Sequence, residues 1–282
     1  MVLIADSGGT KTEWVVLDGM QKFLSLSTAG LNPNFNSENE ISNVIQHLYF
    51  SLPEAIKLDS IFFYGAGCGS SENAHRVASI ISKIFGESVH VEIFTDLLGV
   101  ARAVSPSQES VACILGTGSN ACVTNGKTIV HPIPSWGYLF GDFGSGCDIG
   151  KRTLQHYFEN SLPDKLQKSF RDWLSLSDTE ILNQLYRQPR PNKFLAHITQ
   201  FHSELIGDEF LFSIRESSFR DFFIRQLHQL PKAADYPLYF FGSVAWFFQK
   251  DVKMVGDTLG YEIYSFNKSP MDGLLNFHRN NL

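Results

Sequence analysis

The sequence predicts a mixed α/β fold made of two related halves. Apolar runs typical of strands alternate with segments of helical periodicity, which is the pattern of a sheet flanked by helices. A glycine-rich turn between two apolar strands occurs at residues 4–17, and a second turn of the same kind occurs at 110–124. One such turn carries little information, but a matched pair indicates an internal duplication.

The composition is that of a globular protein with aromatic cores. Of the 282 residues, 43% are hydrophobic, 18% are charged and 24 are Phe, so the chain can form one large or two medium domains. The formal net charge of -6 comes without a basic stripe. Nucleic acid is therefore not an expected partner.

The N-terminal segment lacks the features of a targeting sequence. Its apolar run after Met1 ends at Asp6, which is too short for a signal peptide, and no other stretch is long enough to span a membrane. The four cysteines form no C-x-x-C pair, so they predict neither a zinc site nor a disulfide framework. We expect a soluble cytoplasmic protein without membrane partners.

The first half reads as three strands followed by alternating helices and strands. β-Branched and bulky residues mark the strands, whereas Ile41, Val44, Ile45 and Leu48 recur at helical spacing. Turn-forming residues separate these runs. The predicted strands cover residues 2–5, 14–17, 22–28, 60–64 and 89–94, and the predicted helices cover residues 38–52, 73–85 and 97–104.

The second half begins with the same three-strand pattern and then becomes largely helical. Asn125-Gly126 is a strong hairpin signal between its second and third strands. We predict two domains, at 1–107 and 108–267, with a helical insertion in the second, and we expect a C-terminal helix, at about 268–282, to pack on the first. The predicted strands cover residues 110–115, 121–124, 128–132, 236–241 and 262–266, and the predicted helices end near 160, lie within 164–230, run through 244–248 and cover 270–277.

The first glycine turn, from Asp6 to Thr12, is a candidate phosphate-binding site. Its glycines can take positive φ and carry no Cβ, so backbone N–H groups can approach a phosphate closely, and the Thr10 and Thr12 hydroxyls add neutral donors. Asp6 ends the first strand and suits Mg²⁺, which prefers oxygen ligands and usually keeps several waters. The alternative is a hairpin in which the glycines only make the turn. The candidate phosphate ligands are Gly8, Gly9, Thr10, Lys11 and Thr12.

The second glycine turn, from Gly116 to Asn120, repeats these small and hydroxyl residues. Two such turns on related domains can hold the phosphates of a nucleotide from opposite sides. The glycine-dense segment 134–150 follows and leads into a helix, for which Asp142 and Ser145 are both candidate N-caps. The candidate phosphate ligands of the second turn are Gly116, Thr117, Gly118 and Ser119.

Four short segments together resemble a known superfamily. They are the Asp-x-Gly-Gly-Thr-Lys-Thr turn from Asp6, the Gly116-Thr117-Gly118-Ser119-Asn120 turn, the Trp136-Gly137 and Gly141-Asp142-x-Gly-Ser run, and the Phe241-Gly242-Ser243 turn. These segments resemble the phosphate and adenosine segments of the actin-like ATPase and sugar-kinase superfamily, and within it most resemble the N-acetylglucosamine kinases and the related activator ATPases. The resemblance implies two duplicated actin-like (ribonuclease H-like) ATPase domains with an inter-domain cleft that holds ATP, magnesium and a sugar.

The resemblance also implies roles for individual residues. Asp96 corresponds to the family's catalytic aspartate, and a position between a strand and a helix suits such a base, although a helix N-cap is the alternative. Asp142 corresponds to an aspartate that accepts hydrogen bonds from sugar hydroxyls. Asn32 or Asn34 corresponds to the sugar-contacting asparagine, and the loop length leaves the choice open. The other candidates are Gly67, Asn120, Trp136 and Gly137 for the sugar, and Gly242 and Ser243 for the adenosine part of ATP.

Some features depart from the family patterns. Phe143 follows Asp142 where the family commonly has glutamate, so the sugar preference is left open. The cysteines do not match the iron–sulfur arrangement of the activator ATPases, and the zinc-binding cysteine cluster of another bacterial sugar-kinase group is absent. Trp136 has two interpretations, stacking on an apolar sugar face or packing in the core.

The sequence as a whole predicts an ATP-dependent sugar kinase that uses Mg²⁺. We expect it to phosphorylate the 6-hydroxyl of an amino sugar, N-acetylglucosamine first and glucosamine next, with Asp96 as base and Asp6 organising magnesium through water. The expected partners are ATP and the sugar, and a homodimer is a candidate assembly. The alternative is an ATP-dependent conformational switch or activator protein without a sugar substrate.

Overall fold

The computed structural model describes residues 1–104 and 108–281. The chain divides into two compact units, each with one five-stranded sheet. The predicted domain boundary at residue 107 and the predicted end of the C-terminal helix at residue 282 lie outside the described residues. Unit 1 contains Met1–Glu109, Thr124–Ile129 and Ser269–Leu282, and unit 2 contains Ser110–Val123 and Val130–Lys268.

The sheet of unit 1 combines a three-stranded meander with two parallel strands. Its strands are β1 (Val2–Ser7), β2 (Lys11–Asp18), β3 (Gln21–Ala29), β4 (Ser60–Gly65) and β5 (His90–Thr95), in the spatial order β3-β2-β1-β4-β5. β2 pairs antiparallel with β1 and β3, whereas β1, β4 and β5 run parallel. The carboxyl ends of these three parallel strands therefore lie at one edge of the sheet.

Three helices follow strands of this sheet, and each begins at a hydroxyl side chain. Ser37, Ser70 and Thr95 accept hydrogen bonds from backbone N–H groups in the first turns of the helices, which satisfies donors that have no partner inside the helix. All eight strands and helices predicted for the first half are present. The helices are α1 (Glu38–Ser51), α2 (Ser71–Phe85) and α3 (Asp96–Ala103).

The sheet of unit 2 repeats the strand order of unit 1. Its strands are β6 (Ser110–Leu115), β7 (Ser119–Thr124), β8 (Ile129–Pro132), β9 (Leu238–Phe241) and β10 (Ile263–Asn267). They lie in the order β8-β7-β6-β9-β10, with β9 parallel to both β6 and β10. This repetition confirms the predicted mixed α/β fold and its internal duplication.

The helical part of unit 2 lies mostly between β8 and β9. The helix α10 (Glu209–Asp221) passes directly into a π-helical turn, Phe222–Gln226, and then into a short 3₁₀ turn, Leu227–Gln229. No helix in the described part of the chain is both long enough and apolar enough to cross a membrane. The helices are α4 (Gly137–Phe140), α5 (Gly146–Phe158), α6 (Asp164–Leu174), α7 (Asp178–Tyr186), α8 (Pro191–His197), α9 (Thr199–Glu204), α10 (Glu209–Asp221), α11 (Ser243–Phe247) and α12 (Gln249–Thr258).

Aromatic side chains fill the cores, as the Phe content predicts. In unit 1 the buried Trp14 and Phe63 rings pack with centroids 5.7 Å apart. In unit 2 the buried Phe222, Phe223 and Phe240 rings pack with centroid distances between 5.8 and 6.1 Å. Such rings bury large apolar areas, so these clusters contribute strongly to the stability of each unit.

The C-terminal helix α13 (Met271–Arg279) packs on unit 1 against β1 and α3. The approach is close because a Cβ at Gly273 would overlap the carbonyl oxygen of Ala103. His278 Nε2 lies 3.0 Å from the Tyr64 hydroxyl, to which Arg102 also donates a hydrogen bond of 2.8 Å. A polar network and a close helix contact thus hold this helix on its unit.

His202 of α9 is buried uncharged in unit 2. Its Nε2 lies 2.8 Å from the Thr153 hydroxyl, which donates its own proton to the Ile149 carbonyl oxygen at 2.8 Å, so Nε2 carries the ring proton. Burial, aided by the positive charge of Arg215, lowers the pKa of His202 from 6.5 to about 3. Between these values the unfolded chain binds a proton that the folded chain does not.

Replacing His202 with Gln should therefore weaken the acid sensitivity of folding. The contribution of His202 to stability is complete above pH 6.5 and is lost as the pH falls toward 3. At pH 4.5 the wild type should have lost roughly 2–3 kcal/mol more of its free energy of unfolding, relative to pH 7, than His202→Gln. Urea unfolding at both pH values measures this difference, with exposed His131→Gln as the control. Equal losses in wild type and His202→Gln would contradict the assignment.

Candidate functional site

The first glycine turn joins β1 to β2 and is held by a residue outside it. The Gly8 N–H donates to the Lys11 carbonyl oxygen at 3.0 Å, and the Gly30 N–H donates to the Thr10 carbonyl oxygen at 2.9 Å. Neither Gly8 nor Gly9 adopts the positive φ that the sequence allowed. The steric requirement lies at Gly30 instead, where a Cβ would overlap the Gly8 carbonyl oxygen.

The side chains around this turn divide into an exposed set and a buried set. Gly8, Thr10 and Lys11 are exposed. Thr12 is fully buried, with its hydroxyl 2.7 Å from that of Ser7 and 3.1 Å from the Ala29 carbonyl oxygen. The expectation that the Thr12 hydroxyl is a phosphate donor therefore needs correction, because that hydroxyl is used inside the sheet.

Asp6 and Asp96 lie at the same edge of the unit 1 sheet. Ser7, Gly65 and Thr95 are level across the parallel strands β1, β4 and β5, so Asp6 precedes this level by one residue and Asp96 passes it by one. Thr95 is the N-cap of α3, accepting from the Leu98 N–H at 3.1 Å. The alternative of Asp96 as the N-cap is therefore wrong.

Both carboxyl groups are partly buried, and their pKa values are raised. Burial raises the pKa of Asp6 from 3.8 to about 7, and the negative charges of Asp96 and Glu13 add to this effect, while Lys11 opposes it. Burial also raises the pKa of Asp96 from 3.8 to about 6, although the Leu97 N–H donates to its Oδ1 at 2.9 Å. Partly buried carboxylates with negative charge nearby favour a proton or a cation beside them.

This donor set fits magnesium held mainly through water. Among residues 1–104 and 108–281 there is no group of three or more His, Cys, Asp or Glu side chains that could enclose a metal ion. Magnesium does not need such a cage, because it usually binds one or two carboxylates, waters and substrate phosphates. Asp6, whose pKa is raised partly by neighbouring negative charge, is the residue suited to that role.

The asparagine loop between β3 and α1 lies against the loop that follows β4. The Ala66 N–H donates to the Ser7 carbonyl oxygen at 2.9 Å, which places the second loop beside the end of β1. Gly67, at φ +81°, has no room for a Cβ because the Asn32 carboxamide occupies that place. Gly67, Asn32 and the exposed Asn34 are thus brought together.

Two residues of α2 hold this loop, and the sequence did not identify either. Asn73 donates through Nδ2 to Asn34 Oδ1 at 2.7 Å and to the Gly67 carbonyl oxygen at 2.9 Å. Arg76 donates to the carbonyl oxygens of Pro33 and Asn36. A polar residue at the third position of a helix usually points into solvent. Only its contacts with Asn34 and Gly67 therefore distinguish Asn73 from such a surface residue.

The second glycine turn is held by the first turn of α5. The N–H groups of Gly146 and Cys147 donate to the carbonyl oxygens of Gly116 and Thr117 at 2.8 and 3.1 Å. The turn is shorter than predicted, because Ser119 and Asn120 already belong to β7. The Asn120 side chain accepts from the Ala121 N–H at 2.8 Å.

Ser119 connects this turn to two later segments of unit 2. Its backbone N–H donates to Asp142 Oδ1 at 3.2 Å, and its buried hydroxyl donates to Gln226 Oε1 at 3.0 Å. Gln226 ends the π-helical turn, a rare conformation that often occurs at functional sites. The sequence did not identify Gln226, since nothing in its composition marks a π-helical turn.

The glycine-dense segment differs from expectation at two residues. Ser145, not Asp142, is the N-cap of α5, since it accepts from the Asp148 N–H at 3.2 Å; Asp142 instead adopts a φ of +54°.

Trp136 is 65% exposed, so its interpretation as a core residue is wrong. It directly precedes Gly137, which begins α4 at a φ of +65°. The Arg225 guanidinium lies 4.0 Å from the centre of the Phe143 ring beside Asp142.

Gly242 links the end of β9 to β6 and β10. It has a φ of +109°, its N–H donates to the Asn267 carbonyl oxygen at 3.0 Å, and a Cβ there would overlap the Leu115 carbonyl oxygen. Ser243 begins α11 immediately afterwards. Gly242 therefore lies beside the start of the second glycine turn.

Comparisons with known proteins identify relatives among the sugar kinases. No protein-family model matches the chain. The N-acetyl-D-glucosamine kinase of Dictyostelium discoideum is 28% identical over 166 residues, 54% of this chain and 52% of that protein. The N-acetylmuramic acid/N-acetylglucosamine kinase of Clostridium acetobutylicum is 26% identical over 211 residues, 71% of this chain and 68% of that protein. The matched region thus spans about half the length of the first relative.

A solved structure extends this similarity to the whole chain. The crystal structure of a Porphyromonas gingivalis protein, assigned as an N-acetylglucosamine kinase, is 32% identical and superimposes with a TM-score of 0.91. The match covers 100% of this chain and 99% of that one. The chain therefore belongs to the N-acetylglucosamine kinase family of the actin-like ATPase and sugar-kinase superfamily.

Proposed function

We propose that this chain transfers the γ-phosphoryl group of ATP to the 6-hydroxyl of an amino sugar, with N-acetylglucosamine as the preferred acceptor. The observation that carries the proposal is the pair of partly buried carboxyl groups, Asp6 and Asp96, at one edge of the unit 1 sheet. The named activities of the relatives from D. discoideum and C. acetobutylicum support the same acceptor.

Asp96 is the proposed catalytic base. A sugar hydroxyl that attacks a phosphoryl group must lose its proton, and a carboxylate within hydrogen-bonding distance can accept it. The pKa of Asp96, raised by burial to about 6, leaves the carboxylate charged at neutral pH and a better proton acceptor than an exposed aspartate. Its place at the start of α3 fixes its backbone on a rigid element.

Asp6 is the proposed residue that holds magnesium, through water. When bound, the ion would supply positive charge that offsets the negative charge of the phosphates. Asp6 would hold the ion beside the first glycine turn, since Asp6 and that turn belong to the same hairpin. Phosphate would be contacted by the backbone of Gly8, Gly9, Thr10 and Lys11. Thr12 would position this turn through the contact of its hydroxyl with that of Ser7.

The other candidates divide between the sugar and the rest of ATP. In unit 1 we assign Asn32, Asn34 and Gly67 to the sugar. In unit 2 we assign Asp142 to sugar hydroxyls and the exposed Trp136 to an apolar sugar face. The remaining assignments are Asn120 and Gly137 to the sugar, Gly116, Thr117, Gly118 and Ser119 to phosphate, and Gly242 and Ser243 to adenosine. We infer a cytoplasmic enzyme whose partners are ATP and the sugar, and the homodimer stays a prediction.

Replacing Asp96 with Asn should remove sugar-dependent phosphoryl transfer but keep sugar binding. Loss of a general base typically lowers the rate by about 10²–10⁴-fold, so kcat should fall by about that factor. ADP release from ATP and Mg²⁺, measured with N-acetylglucosamine, glucosamine, N-acetylmannosamine and glucose, tests both the reaction and its acceptor. Exposed Asp18→Asn, on the same sheet, is the matched control.

Two outcomes would contradict these assignments. An Asp96→Asn variant with the turnover of the wild type would refute Asp96 as the base. If no sugar raises ADP release by the wild type above background, the kinase proposal fails and the ATP-dependent switch becomes the better account.

Replacing Asp6 with Asn should weaken the use of magnesium more than the binding of sugar. The variant removes a charged ligand while keeping the shape of the side chain, and changes at such supporting positions usually reduce metal affinity about 10–100-fold. The Mg²⁺ concentration for half-maximal activity should rise by at least about tenfold, and sugar affinity should change little. An unchanged magnesium requirement would contradict the role of Asp6, and Asp18→Asn again serves as the control.

A further inference from the structure

Backbone groups fix the orientation of three carboxamides in and around the asparagine loop. The Gly67 carbonyl oxygen can only accept a hydrogen bond, so the Asn73 atom 2.9 Å from it must be the Nδ2 donor. The same Nδ2 lies 2.7 Å from the Asn34 side chain. The Asn34 atom that faces it must therefore be the Oδ1 acceptor, which turns Asn34 Nδ2 away from α2.

The same reasoning orients Asn32. The Asn34 backbone N–H can only donate, and it lies 2.9 Å from the Asn32 side chain, so that atom is Oδ1. Within the ranges 1–104 and 108–281, neither Asn32 Nδ2 nor Asn34 Nδ2 has a hydrogen-bond partner. The loop thus presents two carboxamide N–H₂ groups, and Gly67 adds no side chain over them.

We infer that Asn73 is a positioning residue that makes this loop a hydrogen-bond donor toward the acceptor sugar. The inference rests on the proposed function, in which the loop binds that sugar. The ligand chemistry is then two neighbouring oxygen atoms with free lone pairs, as adjacent ring hydroxyls or a hydroxyl and an acyl carbonyl provide. A ligand that offers only donors at this place is disfavoured, because its donors would face the carboxamide N–H groups of the loop and neither side would have an acceptor.

Contacts other than those of Asn73 hold the backbone of the asparagine loop. Arg76 holds the carbonyl oxygens of Pro33 and Asn36, and the N–H groups of Phe35 and Asn36 both donate to the Asn32 carbonyl oxygen at 2.9 Å. A change at Asn73 therefore alters the orientation of the Asn34 carboxamide and removes the hydrogen bond to the Gly67 carbonyl oxygen, while the contacts of Arg76 and of the Asn32 carbonyl oxygen still hold the asparagine loop.

Asn73→Asp separates this role from a merely structural one. The third residue of a helix tolerates an acidic side chain well, so α2 should stay folded. The new carboxylate can only accept, and it should rotate the Asn34 carboxamide so that Nδ2 faces α2 and Oδ1 faces the sugar. Calorimetric titration with N-acetylglucosamine should show an affinity at least about tenfold lower, with the KM for ATP changed less than about twofold.

Two further variants make the test specific. Glu72→Gln changes one charge at the neighbouring exposed position and should bind sugar as the wild type does. Asn34→Ala should weaken sugar binding, and adding Asn73→Asp to it should weaken binding little further, because the two residues act through one carboxamide. In the wild type, a fluorine in place of the contacted hydroxyl should be tolerated better than a hydrogen, since fluorine keeps weak acceptor character.

The outcomes distinguish failure of this inference from failure of the proposed function. Unchanged sugar affinity in Asn73→Asp, or full additivity of Asn73→Asp with Asn34→Ala, would overturn the inference while the kinase activity of the wild type stands. Equal loss of sugar and ATP affinity together with lower thermal stability would also overturn it, in favour of a structural role. A wild type that binds no amino sugar would overturn the proposed function and this inference together.

Discussion

The site of unit 1 depends on two carboxyl groups that lie at one edge of the sheet and partly out of water. Asp6 and Asp96 lie at the carboxyl edge of the parallel strands β1, β4 and β5, and burial raises the pKa of both. Negative charge in such a place is stabilised by a bound cation or by a proton taken from a substrate. Phosphoryl transfer to a hydroxyl supplies both, which is why this pair is the basis of the functional account.

The structure fixes both glycine turns through hydrogen bonds from distant parts of the chain. In unit 1 the Gly30 N–H holds the first glycine turn, and in unit 2 the Gly146 N–H holds the second. Hydroxyl groups beside each turn, those of Thr12 and Ser119, are likewise directed into the protein. Hydrogen bonds within each unit therefore set the shape of both turns, and a turn that is ordered before a ligand binds loses less entropy on binding.

Much of the fold could be predicted from the sequence because its signals are local. Strands appeared where bulky and β-branched residues run together, and the repeated glycine turn predicted the repeated strand order. The backbone conformation of the turns could not be predicted in this way, because it depends on contacts with residues distant in the sequence. Gly8 and Gly9 do not use positive φ, and the crowded position is Gly30, which lies beyond β3 in the sequence.

The functional surroundings were harder to predict, for the same physical reason. Asp142 and Ser145 are equivalent as caps in the sequence, and only the approach of the Ser119 N–H to Asp142 separates their roles. Asn73 and Gln226 lie in helical segments of ordinary composition, and each matters through a contact with a residue far away in the sequence. Long-range contacts of this kind have no local pattern from which to infer them.

The most direct test of the account is a crystal structure of the Asp96→Asn variant with Mg²⁺, ATP and N-acetylglucosamine bound together. If Asp96 is the base, we expect the 6-hydroxyl of the sugar to lie about 2.6–3.2 Å from the side chain of residue 96, or one water away, and to point toward the γ-phosphorus. A sugar hydroxyl held at the γ-phosphate by another group, with residue 96 out of reach, would contradict it.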